Sequence, residues 1–464
     1  MRIALISYEY PPYWYGGIGN YTRQAALMLH RRGHEVEVFA ACPGTPYSDS
    51  LEGVTVHFGR CEDRWKFAPV AAEMFAREHG VKPFDVVEVP ELASEGREVF
   101  QRFPEVPSVV RLHTPSYLAA WVDRAVFGKT AVFLQALRYG LAEIVRGRWP
   151  ANGIGFWRSY SSLESSYNPE SDEERFTSLL ADAVVSPSRR LASEVTRDWR
   201  LPEGRVRVLP NPYIPDRRVL KMSCSQGPIR TICFYGGVKA FKGVDVLAGA
   251  IPQILRRHPE VKFVFAGSSQ VSPVRNLNFK AFFKAEICKW EDMETWLRRE
   301  LASHSDAVQF RGPLDQAGVA ALLEEADLCV FPSRFDNFPN TCLEAMGAGR
   351  AIVATCSGGM EEMLLPARGG MLVKPGSHVA LAEAIVWMLE HHGEKTEMAR
   401  RARSRVQEAY GDDVLGPLYE KLYTDAVETK KSTQMRADTK AMSVPKGPYD
   451  RRRQEERAAA ARLC

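Results

Sequence analysis

The sequence predicts an α/β protein with two doubly wound parallel sheets, each covered by helices on both faces. Short apolar, β-branched runs recur with helix-length segments between them, which is typical of such sheets. The series restarts after a proline-rich stretch near residue 210, so the chain codes for two units. The length of 464 residues agrees, since one domain usually takes ~100 to 200 residues.

The predicted strands follow the chain in order. In the first unit they are Arg2–Tyr8, Glu35–Ala40, Val54–Phe58, Asp85–Val89, Ser108–His113, Ala183–Ser186 and Arg205–Leu209. In the second they are Thr231–Tyr235, Lys262–Ala266, Ala307–Arg311, Leu328–Pro332, Ala351–Thr355 and Gly370–Val373.

Domain boundaries follow from the same pattern. Three prolines in Leu209–Asp216 predict a short stiff hinge, which divides the chain into domains at 1–210 and 211–411. Residues 412–427 form a further helix with one apolar face. Apolar periodicity ends at Val427, so residues 428–464 are expected to be a disordered or weakly helical tail.

Charge and cysteine usage exclude several classes of protein. Lys and Arg total 61 against 57 Asp and Glu, giving +4, which is too even for a nucleic-acid binder. Residues 430–464 alone carry ten basic and four acidic residues, so a peripheral contact of this tail with an anionic membrane is a further hypothesis. Nine cysteines without C-x-x-C indicate a reducing cytosol. No signal peptide or membrane-spanning run is predicted.

Three stretches carry residues suited to binding a phosphate or a sugar. Gly16 and Gly17 stand between the first strand and a helix, where a backbone can approach a phosphate closely; tight-turn glycines are the simpler interpretation. Lys242 lies in the turn after the first strand of the second unit, where open α/β sheets bind ligands, although for one lysine alone an exposed turn residue is the favoured interpretation.

The third stretch is Phe331–Glu362. Asp336 falls in a loop after a strand, and a short helix begins at Asn340, with Thr341 at its start and Glu344 one turn in. The first amides of such a helix suit an anion, and the flanking carboxylates can accept hydrogen bonds from sugar hydroxyls.

Taken together, these motifs resemble the retaining GT-B glycosyltransferases of family 4. The matching segments run in order from the glycine-rich start through His113 in VVRLHTPSYL, ADAVVSPSR, VLPNP, FKGVDVL and the E-x7-E region, here with Asp336 and Glu344 in the acidic positions. They cover about Met1–Tyr423, which is far more specific than any single motif.

The resemblance implies two facing domains, with a nucleotide-sugar donor on the second and an acceptor on the first. It implies that Lys242 neutralises the diphosphate, that the amides of Asn340 and Thr341 contact phosphate, and that Glu344 binds the ribose. It also implies that Asp336 contacts the transferred sugar, that His113 lies near that sugar, and that residues 412–427 return to the first domain. Gly16 and Gly17 correspond to a loop that closes on the diphosphate.

Some features depart from the family pattern or bear on metal use. Gly237 replaces the arginine that usually precedes the lysine, and Lys239 could substitute for it. No Asp-x-Asp occurs, so no metal or other cofactor is expected and the lysine and helix dipole would hold the diphosphate.

The predicted function is retaining, metal-independent transfer of a hexose-type sugar from a nucleoside-diphosphate sugar to an acceptor hydroxyl. A UDP-sugar is favoured, a GDP-sugar is the alternative, and the acceptor is a glycan, a glycolipid or a small molecule. The rival hypotheses are a catalytically degenerate sugar-nucleotide-binding protein and a GT-B epimerase or phosphorylase. A nucleotide-dependent dehydrogenase is excluded, because neither sheet carries G-x-G-x-x-G.

Two inserts remain. Ser116–Glu164 is rich in aromatics and arginines, and is interpreted either as helices with core aromatics or as an amphipathic surface for a bulky acceptor. Asn276–Ser305 has mixed charge and suggests no function.

Overall fold

A computed structural model describes residues 1–14, 16–121, 167–269 and 292–443, with side chains to 433. The described residues form two largely parallel sheets with helices packed on their faces, which confirms the predicted fold class. Residues 122–164 of the first insert lie outside the described residues. Residues 276–291 of the second insert and the tail from residue 444 lie outside them as well.

The first sheet has eight strands in the order β3-β4-β2-β1-β5-β6-β7-β8. Every neighbouring pair is parallel except β3 and β4. The strands are β1 Arg2–Ile6, β2 Glu35–Cys42, β3 Tyr47–Leu51, β4 Val54–Arg60, β5 Val86–Pro90, β6 Ser108–Arg111, β7 Ala183–Ser186 and β8 Val206–Val208. The sequence analysis missed β3, because this exposed edge strand (YSDSL) lacks a continuous apolar run.

The second sheet is parallel throughout, in the order β11-β10-β9-β12-β13-β14. Its strands are β9 Thr231–Tyr235, β10 Lys262–Ala266, β11 Val308–Phe310, β12 Leu328–Phe331, β13 Ala351–Thr355 and β14 Met371–Val373. Strand order reverses at β1 in the first sheet and at β9 in the second. Open α/β sheets bind ligands beyond the carboxyl ends of the strands at such reversals.

Helices cover both sheets with their apolar faces, and the cores lie between helices and strands. Among the described residues, the helices of the first half of the chain are Gly17–Arg31, Phe67–Val81, Arg97–Arg102, Glu173–Leu180, Arg189–Asp198 and Arg217–Lys221. In the second half they are Val244–Arg257, Met293–Glu300, Gln316–Glu325, Asn340–Gly347, Met360–Leu364, His378–Glu390, His392–Tyr410 and Asp412–Ser443.

The last helix packs on the first domain. Its Tyr423 hydroxyl donates to Glu88 at 3.0 Å, and Arg32 donates to Glu420 at 2.9 and 3.0 Å. The helix passes Val427, where the sequence analysis ended it, and reaches Ser443. Lys430 lies 2.9 Å from Asp182 and donates to the carbonyl of Pro104 at 3.0 Å. The first part of the predicted tail, as far as Ser443, is therefore helical, and Lys430 holds its beginning against the first domain.

Two aromatics of the first insert that the structure describes are half-buried against the core of the first domain. Tyr117 stacks on Tyr167 with ring centroids 4.3 Å apart, and Trp121 meets Tyr117 edge-on at 5.2 Å. Both pack against the buried cluster of the first domain. For these two residues the core interpretation holds.

Candidate active site

The candidate site lies where the carboxyl ends of the two sheets face each other. Gly16 follows β1 and His113 follows β6, while Lys242 follows β9 and Asp336 follows β12. The predicted residues of the two domains are therefore brought to one cleft, although they are widely separated in the sequence.

A tight turn holds Lys242 in place. The chain forms one helical turn over Ala240–Lys242 and then adopts φ of +74° at Gly243. A Cβ at Gly243 would lie 1.9 Å from the carbonyl oxygen of Pro332. Only glycine permits both that φ and that approach, so Gly243 fixes the Lys242 turn against the end of β12.

Lys242 and Asp336 form an ion pair. The Nζ of Lys242 lies 2.6 Å from Oδ2 of Asp336, and the hydroxyl of Ser333 donates to the same oxygen at 3.3 Å. Their side chains keep 25% and 14% of their exposure, so both still reach the cleft. The Asp336 loop is held by Gly358, where φ is +56° and a Cβ would lie 1.8 Å from the Asp336 carbonyl oxygen.

Arg334 holds the Asp336 loop in place through hydrogen bonds. The sequence analysis did not identify this arginine. Its guanidinium donates to both carboxylate oxygens of Asp245 at 2.6 and 2.7 Å, and also to the carbonyl of Ala240. A bidentate pair of this kind fixes orientation as well as charge. Arg334 thereby ties the Asp336 loop to the turn that carries Lys242.

Lys239 partly covers the position of Gly237, where the family pattern usually has an arginine. A Cβ on Gly237 would lie 3.1 Å from Cε of Lys239, so the lysine side chain passes directly over this glycine. Its Nζ lies 5.7 Å from the ring centroid of Phe241, which also lies 5.2 Å from Nζ of Lys242. Two lysine ammonium groups thus share one aromatic ring beside the cleft.

The helix Asn340–Gly347 begins at the predicted residue. Pro339 precedes it, and no side chain among the described residues caps its first amides. The carbonyl of Thr341 accepts a hydrogen bond from the Tyr235 hydroxyl, which anchors the first turn to the end of β9. The uncapped amides leave a positive helix end at the cleft.

Two hydrogen bonds join this helix to the first domain. Nδ2 of Asn340 donates to the carbonyl of Gly17 at 3.0 Å, and Nδ2 of Asn20 donates to Oε1 of Glu344 at 3.0 Å. Burial raises the pKa of Glu344 to about 7, opposed by the Asn20 hydrogen bond. The sequence analysis did not identify Asn20, whose partner Glu344 lies on the other domain.

The two loop glycines differ in their surroundings. A Cβ at Gly16 would lie 1.9 Å from Oε2 of Glu9, whereas no atom of the described residues lies within 4 Å of one at Gly17. Glu9 also accepts from the amide of Gly19 at 3.2 Å and is paired with Arg64. A side chain at Gly16 would therefore displace the carboxylate end of Glu9, while Gly17 is exposed.

A buried carboxyl group holds the backbone of His113 in place. Its amide donates to both carboxylate oxygens of Glu91 at 2.8 and 2.9 Å, and its ring meets Tyr21 at 5.2 Å. Burial, with the charge of Arg111, lowers the pKa of His113 to about 3, so the imidazole is neutral at pH 7. Beside it, Thr114 accepts from Nδ2 of Asn337 at 2.7 Å, which brings His113 and Asp336 near the same contact between the domains.

A separate group of potential metal ligands lies away from this site. Glu37, His57 and Glu78 place ligand atoms within 4.8 Å of one another. Glu37 is already bound by Arg2 and by His57, and His57 also meets the Ser48 hydroxyl at 2.8 Å. Glu37 stands near the amino end of β2, at the opposite edge of the sheet from His113.

Comparison with family models decides the identity of the chain. Residues 15–217 match the model described as Glycosyltransferase Family 4, and residues 229–391 match the one described as Glycosyl transferases group 1. The chain is a GT-B glycosyltransferase.

Known proteins support this assignment over nearly the whole length of this glycosyltransferase. It is 24% identical over 457 residues to glycogen synthase of Mycobacterium tuberculosis, covering 96% of this chain and 100% of the relative. It is 23% identical over 420 residues to phosphatidyl-myo-inositol mannosyltransferase of Mycolicibacterium smegmatis, covering 88% and 89%.

Solved structures show that the glycosyltransferase shares its fold with other enzymes of this architecture. Sucrose-phosphate synthase from Thermosynechococcus elongatus superposes with a TM-score of 0.63 at 19% identity, covering 91% of this chain and 99% of the other. Anabaena HepE in complex with UDP and glucose gives 0.60 at 16% identity, with the same coverage.

Within the described ranges, no helix of this glycosyltransferase combines the length and apolar character needed to cross a bilayer.

Proposed function

We propose that this glycosyltransferase moves a hexose-type sugar from a nucleoside-diphosphate sugar to an acceptor hydroxyl, with retention and without a metal. The observation that carries the proposal is the Lys242–Asp336 pair at the strand reversal of the second sheet, opposite the Gly16–Gly17 loop. A uridine nucleotide is favoured, since solved relatives are described in complex with UDP and UDP-glucose; another is described with ADP. A GDP-sugar is the alternative.

In the donor complex, Lys242 exchanges Asp336 for the diphosphate. The ammonium group and the uncapped amides of Asn340 and Thr341 then offset the phosphate charge. Glu344 accepts hydrogen bonds from the ribose hydroxyls, in place of the bond from Asn20. Asp336, released from the lysine, accepts from the transferred sugar.

Transfer requires stabilisation of the leaving diphosphate and of a sugar carbon with oxocarbenium character. Lys242 and the Asn340 helix end serve the first need, and the Gly17 backbone approaches from the other domain. His113 is neutral, so it can hydrogen-bond a sugar hydroxyl without adding positive charge beside the oxocarbenium carbon. Retention follows from the family resemblance, with attack on the face from which the phosphate departs.

The acceptor binds to the first domain, beside His113. A glycan, a glycolipid and a small molecule all remain in the proposal as acceptor classes. Neither a metal nor any other cofactor takes part, because Lys242 and the helix end supply the positive charge.

The test is a donor panel. Purified enzyme is incubated with UDP-, GDP- and ADP-sugars, with and without a mixture of saccharide and glycolipid acceptors, and release of nucleoside diphosphate is measured. We expect release to depend on an acceptor and to favour a UDP-sugar. A donor-induced rise in melting temperature without release would identify a degenerate binding protein, and release without an acceptor would identify an epimerase.

A further inference from the structure

Three aromatic rings form an exposed patch beside the glycine loop, which we call the aromatic patch: Tyr13, Trp14 and Tyr47. Tyr13 and Tyr47 each keep 38% of their exposure, and Trp14 is partly exposed. Ring centroids are 5.9 Å apart for Tyr13 and Trp14 and 6.5 Å apart for Tyr13 and Tyr47. The three rings therefore make one continuous surface.

Buried aromatics hold these rings in place. Phe58, which is 1% exposed, stacks on Tyr47 at 4.8 Å and meets Tyr13 edge-on at 5.4 Å. Tyr8, which is 7% exposed, lies 4.7 Å from Trp14. Because the exposed rings are supported from below, they can bind a ligand with little loss of side-chain entropy.

The aromatic patch lies on the same sheet edge as the candidate active site. Phe58 is near the carboxyl end of β4 and pairs with Tyr47, the first residue of the antiparallel β3. Tyr13 and Trp14 follow β1 and precede Gly16. The patch therefore continues the cleft outward from the glycine loop, on the domain proposed to hold the acceptor.

We propose that the aromatic patch binds sugar units of an acceptor saccharide that lie remote from the unit being glycosylated. This inference rests on the proposed function. A sugar ring presents C–H groups on its faces and hydroxyls around its rim, so it matches a flat ring with polar groups alongside. The tyrosine hydroxyls and the exposed Asp49, which lies on the same face of β3 as Tyr47, supply such groups.

A lipid surface fits the patch less well. Strand β3 has the sequence YSDSL, so it places the carboxylate of Asp49 on the same face as Tyr47 and contributes no basic side chain. Anionic lipids would be repelled by Asp49, and interfacial anchoring usually pairs aromatics with Lys or Arg. The acceptor is accordingly a saccharide of at least two units, which spans from the patch towards His113.

The test compares the parent enzyme with the double variant Tyr13→Leu/Tyr47→Leu, which keeps apolar cover over Phe58 and removes the flat faces. The matched control is Phe176→Ala, which removes another exposed ring, 49% exposed, from the helix Glu173–Leu180. Each protein is applied to a printed array of oligosaccharides of two or more units. Each is also sedimented with phosphatidylglycerol vesicles and melted without nucleotide and with UDP, GDP or ADP.

We expect the parent and the control to bind array saccharides and the double variant to lose at least about tenfold in affinity, with an unchanged UDP-induced shift in melting temperature. A parent that binds no saccharide, or a double variant that binds equally well, would overturn the inference. Vesicle binding by the parent and the control, but not by the double variant, would also overturn the inference. Absence of a shift with every nucleoside diphosphate in the parent would instead count against the proposed function.

Discussion

The ammonium group of Lys242 lies 2.6 Å from the carboxylate of Asp336, so two residues proposed for different parts of the donor neutralise each other. The pair is partly exposed, and its net worth in water is small, about 0 to 1 kcal/mol. A diphosphate can therefore replace Asp336 as the partner of Lys242 at a small cost in free energy. The exchange also frees Asp336 for the sugar, which couples the two roles.

Asp336→Asn tests this exchange. The variant keeps the size and removes the charge that competes for Lys242, so UDP should bind at least as tightly as to the parent. Turnover should fall by about tenfold or more, or ~1.4 kcal/mol, since a negative carboxylate no longer faces the sugar. Steady-state rates and UDP titrations measure the two effects, and an unchanged rate would reduce Asp336 to a surface partner of Lys242.

Substitutions at Glu344 and at Asn20 distinguish ribose binding from the contact between the two domains. Glu344→Gln should weaken UDP binding by about five- to thirtyfold, or ~1 to 2 kcal/mol, because an amide is a poorer acceptor for two ribose hydroxyls. The matched control, Asn20→Ala, removes the 3.0 Å bond between the domains and keeps the carboxylate. UDP affinity within about twofold of the parent is expected for it. Equal losses in both variants would mean that closure, and not the ribose, depends on Glu344.

The buried carboxyl groups near His113 predict a fall in stability at alkaline pH. Burial raises the pKa of Glu91 and of Glu95 to about 8 and that of Glu174 to about 7. A carboxyl group whose folded pKa is raised stabilises fully below its unfolded pKa, and that stability is lost as pH rises through the folded value. The melting temperature should therefore drop between pH 6.5 and pH 8.5.

Glu91→Gln identifies the source of that drop. Glutamine can still accept the His113 amide but does not ionise, so the variant should lose less stability over this range, by on the order of 1 kcal/mol. Chemical denaturation at the two pH values measures the difference. Parallel pH profiles for the variant and the parent would show that Glu91 does not titrate there.

The end of the last helix can be tested with adjacent lysines. Lys430→Ala removes the contacts with Asp182 and Pro104 and should lower the free energy of unfolding by about 1 kcal/mol. Lys431 is exposed, and Lys431→Ala should change stability by less than about 0.5 kcal/mol. Deletion of residues 444–464 should leave stability and turnover intact. Equal effects of the two substitutions would show that the Lys430 contact is not formed in solution.

Chelation tests the absence of a metal from the reaction. Turnover in EDTA should stay within about tenfold of the untreated rate, since Lys242 and the Asn340 helix end supply the positive charge. A larger loss that Mn²⁺ or Mg²⁺ restores would contradict this account. A change in stability without a change in rate would point instead to Glu37, His57 and Glu78 at the opposite sheet edge.

Much of the fold could be predicted because parallel strands are buried on both faces and read as continuous apolar runs. Strand β9 was predicted with its observed bounds, and the helix that begins at Asn340 was predicted from its start. Strand β3 was missed because its exposed side chains carry no such signal. The end of the last helix was missed because Lys430 is held by tertiary contacts rather than by apolar periodicity.

The candidate site divides in the same way. Lys242 and Asp336 could be found because each follows a strand within a motif, and the structure brings their charges together. The sequence could not indicate Asn20 or Arg334, because their partners, Glu344 and Asp245, are distant along the chain. Such residues become visible only when the loops and the two domains are brought together.

Titration of UDP into the parent and into Lys242→Ala tests the donor site most directly. Isothermal titration calorimetry on both proteins, with equal melting temperatures as the control for folding, gives the two dissociation constants. The account predicts that the parent binds UDP and that the substitution weakens binding by at least about thirtyfold, the lower end of ~2 to 4 kcal/mol. Equal affinity in the two proteins, or no binding of UDP, GDP or ADP by the parent, would contradict it.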